Sequence, residues 1–405
     1  MKYDRRISIL HLITTLDLAG AQMMLWKLLS FMDDDRFSNR VVSLTDIGHV
    51  GQRIMAQGVP VYCLNMPNGR LTLRGLVKLW RLFKSIGPTI LQTWLYHADL
   101  LGIIFGKLSG IRNVCWNVRC SYHDLEKYKR STRWVIETCS LFSSIPEVVI
   151  TNSIGGLEFH VNLGYRAKRW EVIPNGFDLQ KFKINQRAKP GLLRELGLVH
   201  NLSTEGSREK SGGKRTRDCF LIGLIARYDP MKDHLTFIKA ACFLLEKRRD
   251  VHFVLAGRDV TWENSVLARQ IPKVWKEHFH FLGERKDAEN ITAALNIASS
   301  ASYGEGFANV VAEAMACEVP CVVTDVGDSA RIVGETGRVV PPKAPEALAM
   351  AWKDLMDLGE DGRRKLGEIA RKRIEDHYEL SEIVKKYEAM YTSLIATSRA
   401  VPSQI

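Results

Sequence analysis

Short apolar runs alternate with amphipathic stretches along this chain, and the alternation occurs in two successive series. The first series has apolar runs at 7–14, 40–46, 59–65, 89–95, 114–119 and 147–153. The second has runs at 219–227, 251–258, 278–283, 295–302 and 320–326. Continuous apolar strands separated by helices are typical of parallel sheets with helices on both faces. We therefore predict an α/β protein with two doubly wound domains that face each other across a cleft.

The break between the two series sets the domain boundaries. Residues 201–217 consist mainly of Ser, Gly, Lys and Arg without apolar periodicity, which predicts a surface loop near a boundary. We place the first domain at 1–178, the second at 179–375 and a terminal segment at 376–405. The helical pattern at 381–396 could pack on either domain.

Positive charge is concentrated in the first half of the chain. The formal net charge is +12, and residues 1–217 carry all of the excess, because the remainder has a net charge of −3. Such asymmetry is typical of a half that meets an anionic membrane, nucleic acid or phosphate-bearing substrate. A charged surface that only keeps the protein soluble gives the same asymmetry, and charge alone does not decide between the two. No nucleic-acid reading motif is present in the sequence, so we expect no nucleic-acid partner.

Cysteine usage and the N-terminal run indicate a cytoplasmic location. The eight cysteines form no C-x-x-C pair, so neither a zinc site nor a redox motif is predicted. His11, Thr14 and Asp17 interrupt the first apolar run, which favours a buried strand over a signal peptide. No uninterrupted run of about 18 apolar residues occurs, so we expect no transmembrane helix.

The stretch 302–328, SYGEGFANVVAEAMACEVPCVVTDVGD, carries the strongest chemical signal. A strand is predicted to end near Ser302, and a glycine-containing turn leads to a helix from about Asn309, whose N-terminus favours a phosphate. Glu305 and Glu313 would lie about 12 Å apart along a helix. That exceeds the about 5–9.5 Å of glycosidase carboxylate pairs. Two carboxylates flanking an anion site suit a nucleotide-sugar, although an acidic turn followed by an exposed helical Glu explains the pattern equally well.

A second stretch, 223–240, places two cations after a predicted strand. Arg227 follows the strand directly, and Lys232 precedes the next helix. Cations at the carboxyl end of a strand could neutralise a departing diphosphate. Two solvated surface cations would leave the same pattern, so the inference rests on the two stretches together.

These motifs resemble those of retaining glycosyltransferases with two Rossmann-like domains (the GT-B fold), and of glycosyltransferase family 4 in particular. The residues are the Glu305–Glu313 spacing, the Arg227 and Lys232 pair, IPNGFD at 173–178, TDVGD at 324–328, TGRVVPP at 336–342 and TLDLAGAQ at 15–22. The resemblance covers roughly residues 6–395.

The resemblance implies a role for each matching position. Arg227 and Lys232 would bind the donor pyrophosphate, Glu305 the sugar hydroxyls and Glu313 the ribose. Gly20 would let the first loop approach the donor, and the amides of Phe307, Ala308 and Asn309 would contact phosphate or sugar. The resemblance further implies retention of configuration, no metal or other cofactor, and a final helix that returns to the first domain.

The first domain departs from the family pattern near the reacting centre. Many members have a histidine at the end of the fourth or fifth strand, whereas this chain has Arg119 there, with His97 after the preceding strand. Either side chain could polarise the sugar-phosphate region. A helix-cap or core role for His97 is an equally weighted alternative.

A basic amphipathic helix is predicted at 70–84. Arg70, Arg74, Lys78, Arg81 and Lys84 recur at helical spacing, and Leu73, Leu76, Val77, Trp80 and Phe83 are expected on the other face. KYKRSTRW at 127–134 adds a second basic and aromatic cluster. Such a helix can lie on an anionic membrane, or it can pack on the sheet with a solvated basic face.

We therefore predict a metal-independent, retaining hexosyltransferase. It would move a hexose or N-acetylhexosamine from a nucleotide-sugar, a UDP-sugar by family frequency, to a glycan or lipid-linked acceptor. The expected setting is surface polysaccharide, lipopolysaccharide or glycolipid assembly at the inner face of the cell membrane. The alternatives are a nucleotide-sugar epimerase or a non-catalytic protein that binds sugar nucleotides or anionic membranes.

Overall fold

The computed structural model of the protein describes residues 6–67, 70–119, 129–198 and 219–400. The loop predicted at 201–217 and the first two residues of the 127–134 cluster lie outside these ranges. The described chain divides into two compact units. One runs to Gly176 and includes the chain from Tyr378 onward, and the other spans Phe177–His377.

The first unit is built on a seven-stranded parallel sheet with the order β3-β2-β1-β4-β5-β6-β7. Its strands are β1 (Ile7–Ile13), β2 (Phe37–Ser43), β3 (Val61–Cys63), β4 (Ile90–Trp94), β5 (Asn113–Val118), β6 (Val148–Thr151) and β7 (Trp170–Val172). The helices between them are α1 (Gly20–Phe31), α2 (Gly48–Ala56), α3 (Leu73–Ile86), α4 (Tyr96–Leu108), α5 (Arg130–Phe142) and α6 (Ile154–Asn162). Helices α3, α4 and α5 share one apolar core with the sheet, whereas α1 and α2 belong to the core on the other face.

The second unit has a six-stranded parallel sheet with the order β10-β9-β8-β11-β12-β13. Its strands are β8 (Phe220–Ile225), β9 (Val251–Ala256), β10 (Phe279–Phe281), β11 (Ile297–Ser300), β12 (Cys321–Thr324) and β13 (Arg338–Val340). Its helices are α7 (Ala188–Glu195), α8 (His234–Leu245), α9 (Ser265–Ala268), α10 (Ala288–Ala294), α11 (Asn309–Ala316), α12 (Ser329–Val333), α13 (Pro345–Asp357) and α14 (Gly359–Tyr378). The prediction of two doubly wound α/β domains is confirmed.

The last helix, α15 (Leu380–Ala400), belongs to the first unit. Its inward side chains join the core that also holds α1 and α2, and Tyr387 and Tyr391 are fully buried there. The Tyr391 hydroxyl lies 3.1 Å from Oε1 of Gln92 on β4 and donates to it. The helical pattern alone left the choice of domain open, and tertiary packing decides it.

Helix α3 differs from its predicted face assignment. Its inward face consists of Gly75, Leu79 and Phe83, which are buried. Leu73 and Trp80, expected opposite the cations, are 79% and 42% exposed.

Within the described ranges, no helix is both long enough and apolar enough to cross a bilayer.

Candidate active site

The central strands of the second unit, β8 and β11, are hydrogen-bonded neighbours. Because both strands run in the same direction, the loops that follow them lie at the same edge of the sheet. The loop after β8 contains Arg227 and Lys232, and the loop after β11 contains Ser302 and Glu305. The structure therefore brings together the two stretches in which sequence motifs predicted a donor site.

The two loops meet at an ion pair between Lys232 and Glu305. The Lys232 side chain is 20% exposed and that of Glu305 only 9%. The Ser302 hydroxyl donates to Oε1 of Glu305 at 2.7 Å, and the amide of Tyr303 donates to the Met231 carbonyl at 2.9 Å. These contacts orient the Glu305 carboxylate, and Ser302 is a site residue that the sequence motifs did not identify.

Arg227 is held by a carboxylate of its own loop. Its guanidinium donates to Oδ2 of Asp229 at 2.9 Å, while Oδ1 of Asp229 accepts the amide of Met231 at 3.0 Å. Partial burial acts to raise the pKa of Asp229, but the Met231 amide and the Arg227 guanidinium outweigh it and lower that pKa. Asp229 was not predicted, although an aspartate followed by proline is a recognisable signal for capping a helical turn.

The TDVGD motif at 324–328 packs against the backbone of the loop that contains Glu305. Gly327 has φ +54°, and a Cβ there would lie 2.2 Å from the Glu305 carbonyl oxygen. The amide of Asp328 donates to the Gly306 carbonyl at 3.2 Å. Only glycine permits this conformation together with so close an approach of two backbones. This steric requirement explains the glycine in the motif.

The remaining predicted donor residues lie at the start of α11 and within it. Phe307 and Ala308 are buried, and the Phe307 ring stacks on Phe177 with 6.1 Å between ring centroids. The Asn309 amide donates to the Phe307 carbonyl at 3.0 Å, so a ligand would compete with that carbonyl. Glu313 is half-buried on the second turn of α11.

A buried histidine lies next to this site in the chain. His234 begins α8 and is 1% exposed, with Tyr228 at 5.8 Å between ring centroids. Burial lowers its pKa to about 4. His234 is therefore neutral near pH 7 and adds no charge next to Lys232.

In the first unit, the predicted residues follow three adjacent parallel strands. Gly20 begins α1 after β1, His97 lies in the first turn of α4 after β4, and Arg119 follows β5. The sheet order β1-β4-β5 therefore places them at one edge. His97 is half-buried, and burial lowers its pKa. Leu95, two residues before it, has φ 74°, an uncommon conformation for a branched side chain.

The side chain of Arg119 contacts both chain segments that form the first unit, the one that ends at Gly176 and the one that begins at Tyr378. Its guanidinium donates to Oδ1 of Asn117 at 3.1 Å, to Oδ1 of Asn175 at 2.5 Å and to the Tyr387 hydroxyl at 3.0 Å. It also lies over the Trp94 ring, 4.9 Å from the centroid. Arg119 thus links β5, the end of the first chain segment and α15. The sequence patterns predicted a role in the reaction for this residue but none of these contacts.

Two family models match the chain. The model described as Glycosyltransferase Family 4 matches residues 9–181, and the model described as Glycosyl transferases group 1 matches residues 219–357. The first range covers the sheet of the first unit except for the first two residues of β1, and the second range covers the whole sheet of the second unit.

Curated relatives match most of the chain. A UDP-Gal:alpha-D-GlcNAc-diphosphoundecaprenol alpha-1,3-galactosyltransferase of Escherichia coli is 24% identical over 334 residues, which cover 79% of this chain and 80% of the relative. The capsular polysaccharide biosynthesis glycosyltransferase CapM of Staphylococcus aureus is also 24% identical, covering 80% of this chain and 82% of its own.

Solved structures share the fold. Anabaena HepE, solved in complex with UDP, superposes with a TM-score of 0.78 at 20% identity, covering 95% of this chain and all of its own. The same protein solved with UDP-glucose gives a TM-score of 0.75 at 22% identity, covering 95% of this chain and 99% of its own.

Proposed function

The chain belongs to the group 1 glycosyltransferases with the GT-B fold, and on that premise we propose that it is a retaining hexosyltransferase. It transfers a hexose or N-acetylhexosamine from a UDP-sugar to a glycan or lipid-linked acceptor. The reaction requires no metal ion. The product belongs to a surface polysaccharide, a lipopolysaccharide or a glycolipid.

The observation that carries this proposal is the meeting of Lys232, Glu305 and Ser302 at the carboxyl edge of the second sheet. In glycosyl transfer, the bond between the anomeric carbon and the diphosphate breaks, and negative charge develops on the diphosphate. Arg227 and Lys232 are the cations that stabilise this charge. Glu305, oriented by Lys232 and Ser302, accepts hydrogen bonds from the sugar hydroxyls. Glu313 holds the ribose in the same complex.

Relatives support the choice of donor and acceptor class. The E. coli relative is named for UDP-Gal as donor and for alpha-D-GlcNAc-diphosphoundecaprenol as acceptor. HepE was solved with UDP and with UDP-glucose. The names of CapM and of a Rhizobium leguminosarum mannosyltransferase place those proteins in capsule and lipopolysaccharide core synthesis.

The first unit binds the acceptor in this proposal. Gly20 allows its loop to approach the donor phosphates, and His97 polarises the reacting region from the end of β4. Because burial lowers the pKa of His97, the imidazole is neutral near pH 7 and can act as a hydrogen-bond donor. Retention and metal independence rest on the resemblance to the family.

A thermal-shift screen against UDP, GDP, ADP and their common sugars, each with and without EDTA, tests the donor site. A ligand at 100 times its dissociation constant stabilises the protein by roughly 2.7 kcal/mol. We expect uridine compounds to raise the melting temperature, EDTA to leave the shift unchanged, and Lys232→Ala to abolish it. Lys365→Ala, at an exposed lysine on α14, is the matched control and should retain it. A shift that is absent for every nucleotide, or unchanged in Lys232→Ala, would contradict the proposed site.

Product analysis tests the reaction itself. Proton NMR of the glycoside formed should show the same anomeric configuration as the donor. An inverted product would contradict retention. Interconversion of nucleotide-sugars without any acceptor would instead identify an epimerase.

A further inference from the structure

Three neighbouring helices cover one face of the first unit's sheet. Helices α3, α4 and α5 all contribute to the same apolar core. Leu79 and Phe83 of α3, Ile103 of α4, and Val135 and Ile136 of α5 are their buried anchors. The inward face of each helix packs on the sheet. Its outward side chains therefore do not contribute to this core.

The outward residues of these helices include large apolar side chains. Leu73, Val77 and Trp80 recur on α3 at steps of four and three and form an exposed stripe. On α4 and α5, the exposed apolar side chains are Ile104, Leu108, Trp134, Leu141 and Phe142. Trp134 is 63% exposed and Leu141 is 80% exposed. Single exposed apolar side chains are normal on a protein surface. Here α3 packs beside α4 and α4 beside α5, and all three helices expose large apolar side chains, which is the arrangement expected of an interaction site.

Exposed cations lie on the same three helices and on the turns that flank them. The exposed basic residues of the helices and their flanking turns are Arg70, Arg74, Lys78, Arg81, Lys84, Lys107, Arg112, Lys129, Arg130 and Arg133. We call these residues, together with the exposed apolar side chains above, the basic helical surface.

Carboxylates are few on the basic helical surface. Over residues 70–119 and 129–147 the chain has Asp99, which is fully buried, and two further carboxylates, Glu137 and Glu147. Glu137 is paired with Arg133 at 3.1 Å, and Glu147 is paired with Lys168 at 3.1 Å. The surface therefore presents a strong excess of positive charge.

We propose that the basic helical surface binds the face of an anionic lipid bilayer. Lipid phosphates are the charge complement of its cations, and Trp80 and Trp134 suit the boundary between headgroups and acyl chains. Lys and Arg can direct their charged ends to phosphate while their methylene stems cover apolar lipid. Nucleic acid would satisfy the cations but leave Leu73 and Leu141 in water. A bilayer takes up both kinds of side chain at once.

This inference does not depend on the proposed transfer reaction, because lipid binding is measured without nucleotide or acceptor. It extends the predicted basic helix at 70–84 to a surface of three helices. The extension rests on the exposed Leu108 of α4 and the exposed Trp134 and Leu141 of α5.

Vesicle flotation tests the proposal with the full-length protein. The probes are vesicles of phosphatidylcholine alone and vesicles with about 30% phosphatidylglycerol, an anionic lipid that attracts basic surfaces. We expect the protein to float with the anionic vesicles and to stay behind with the neutral ones. Arg74→Glu/Arg81→Glu should weaken binding about tenfold or more, because it replaces two cations that anionic lipid attracts with two carboxylates that it repels. Trp80→Ser/Trp134→Ser should also weaken binding to the same vesicles.

Matched controls come from the second unit. Lys365→Glu changes an exposed cation of α14, and Met350→Ser removes an apolar side chain of α13 that is 67% exposed. Both should float like the unaltered protein. All variants should keep the unaltered circular dichroism spectrum and nucleotide-induced thermal shift, which separates this test from that of the donor site.

Three outcomes would overturn the proposal. The first is flotation that does not depend on anionic lipid. The second is equal flotation of both surface variants and the unaltered protein. The third is binding of single-stranded RNA that the arginine substitutions abolish, with no flotation on either vesicle, which would assign the surface to nucleic acid.

Discussion

Glu305 is a carboxylate held by a lysine and a serine in a loop rather than in the core. Because Lys232 is 20% exposed, water can solvate its ammonium group when the partner is lost. We therefore expect Glu305→Ala to lower turnover by several orders of magnitude while it changes the free energy of unfolding little. Glu277→Ala, at an exposed glutamate of the same unit, is the matched control and should leave both quantities unchanged. Initial rates and urea unfolding measure the two effects. Proportionate losses of stability and activity would show that Glu305 is structural.

Arg119 presents the opposite case, because its guanidinium has three hydrogen-bonding partners and an aromatic ring around it. We expect Arg119→Ala to lower the free energy of unfolding by about 2–4 kcal/mol, since it leaves buried polar groups without a partner. Tyr387→Phe, which removes one of those partners, should give a smaller loss. Urea unfolding checks both. A variant with unaltered stability and abolished turnover would instead support the catalytic role that the sequence suggested.

At the scale of elements, helix α6 is joined to α4 through His160. Its Nδ1 lies 2.6 Å from the Gly156 carbonyl oxygen and donates to it, so Nε2 accepts the Tyr96 hydroxyl at 2.9 Å. Burial lowers the pKa of His160 from 6.5 to about 4. The unfolded chain thus binds a proton between these pH values that the folded chain does not bind. The stability contributed by neutral His160 is complete above pH 6.5 and is lost as pH falls towards 4.

This linkage predicts a pH-dependent effect of substitution. His160→Phe cannot take up the proton, so its deficit in unfolding free energy relative to the unaltered protein should shrink by about 2 kcal/mol between pH 7.5 and pH 5. Urea unfolding at the two pH values measures the change. His49→Phe, at an exposed histidine, should show no such change. A deficit independent of pH would mean that His160 titrates normally in the folded protein.

Local sequence patterns predicted where the strands lie. They did not predict which side chains of a helix are buried. The apolar runs at 7–14 and 219–227 predicted β1 and β8, because periodicity and β-branched content are local properties. The outward stripe of α3 was not predictable in the same way. Leu73 and Trp80 have the spacing of a buried face, and only the position of the sheet shows that Leu79 and Phe83 are the buried side chains.

At the scale of the whole molecule, the first unit is completed by the last helix in the chain. The seven apolar side chains of α15 in the shared core are Leu380, Ile383, Val384, Tyr387, Met390, Tyr391 and Leu394. Burying each contributes about 1.5–3 kcal/mol, and the total is on the order of 10 kcal/mol, comparable with the net stability of a domain. The first unit should therefore not fold without α15.

Truncation after residue 378 tests this dependence. We expect calorimetry to show loss of the unfolding transition of the first unit and persistence of that of the second. A chain that ends at residue 400 keeps α15 and should retain both transitions. Two unaltered transitions in the shorter chain would contradict the assignment of α15 to the core of the first unit.

The sequence alone determined that this is a two-series α/β protein, that it is a glycosyltransferase, and which loops carry its motif residues. These features are local, because strand and helix periodicities and motif spacings are set by neighbours in the chain. Tertiary structure decided which distant residues meet. Lys232 and Glu305 are 73 positions apart and form an ion pair because β8 and β11 are adjacent. Arg119 and Tyr387 are 268 positions apart and form a hydrogen bond because α15 returns to the first sheet. Strand order and helix docking depend on packing over the whole core, and no short window of sequence contains that information.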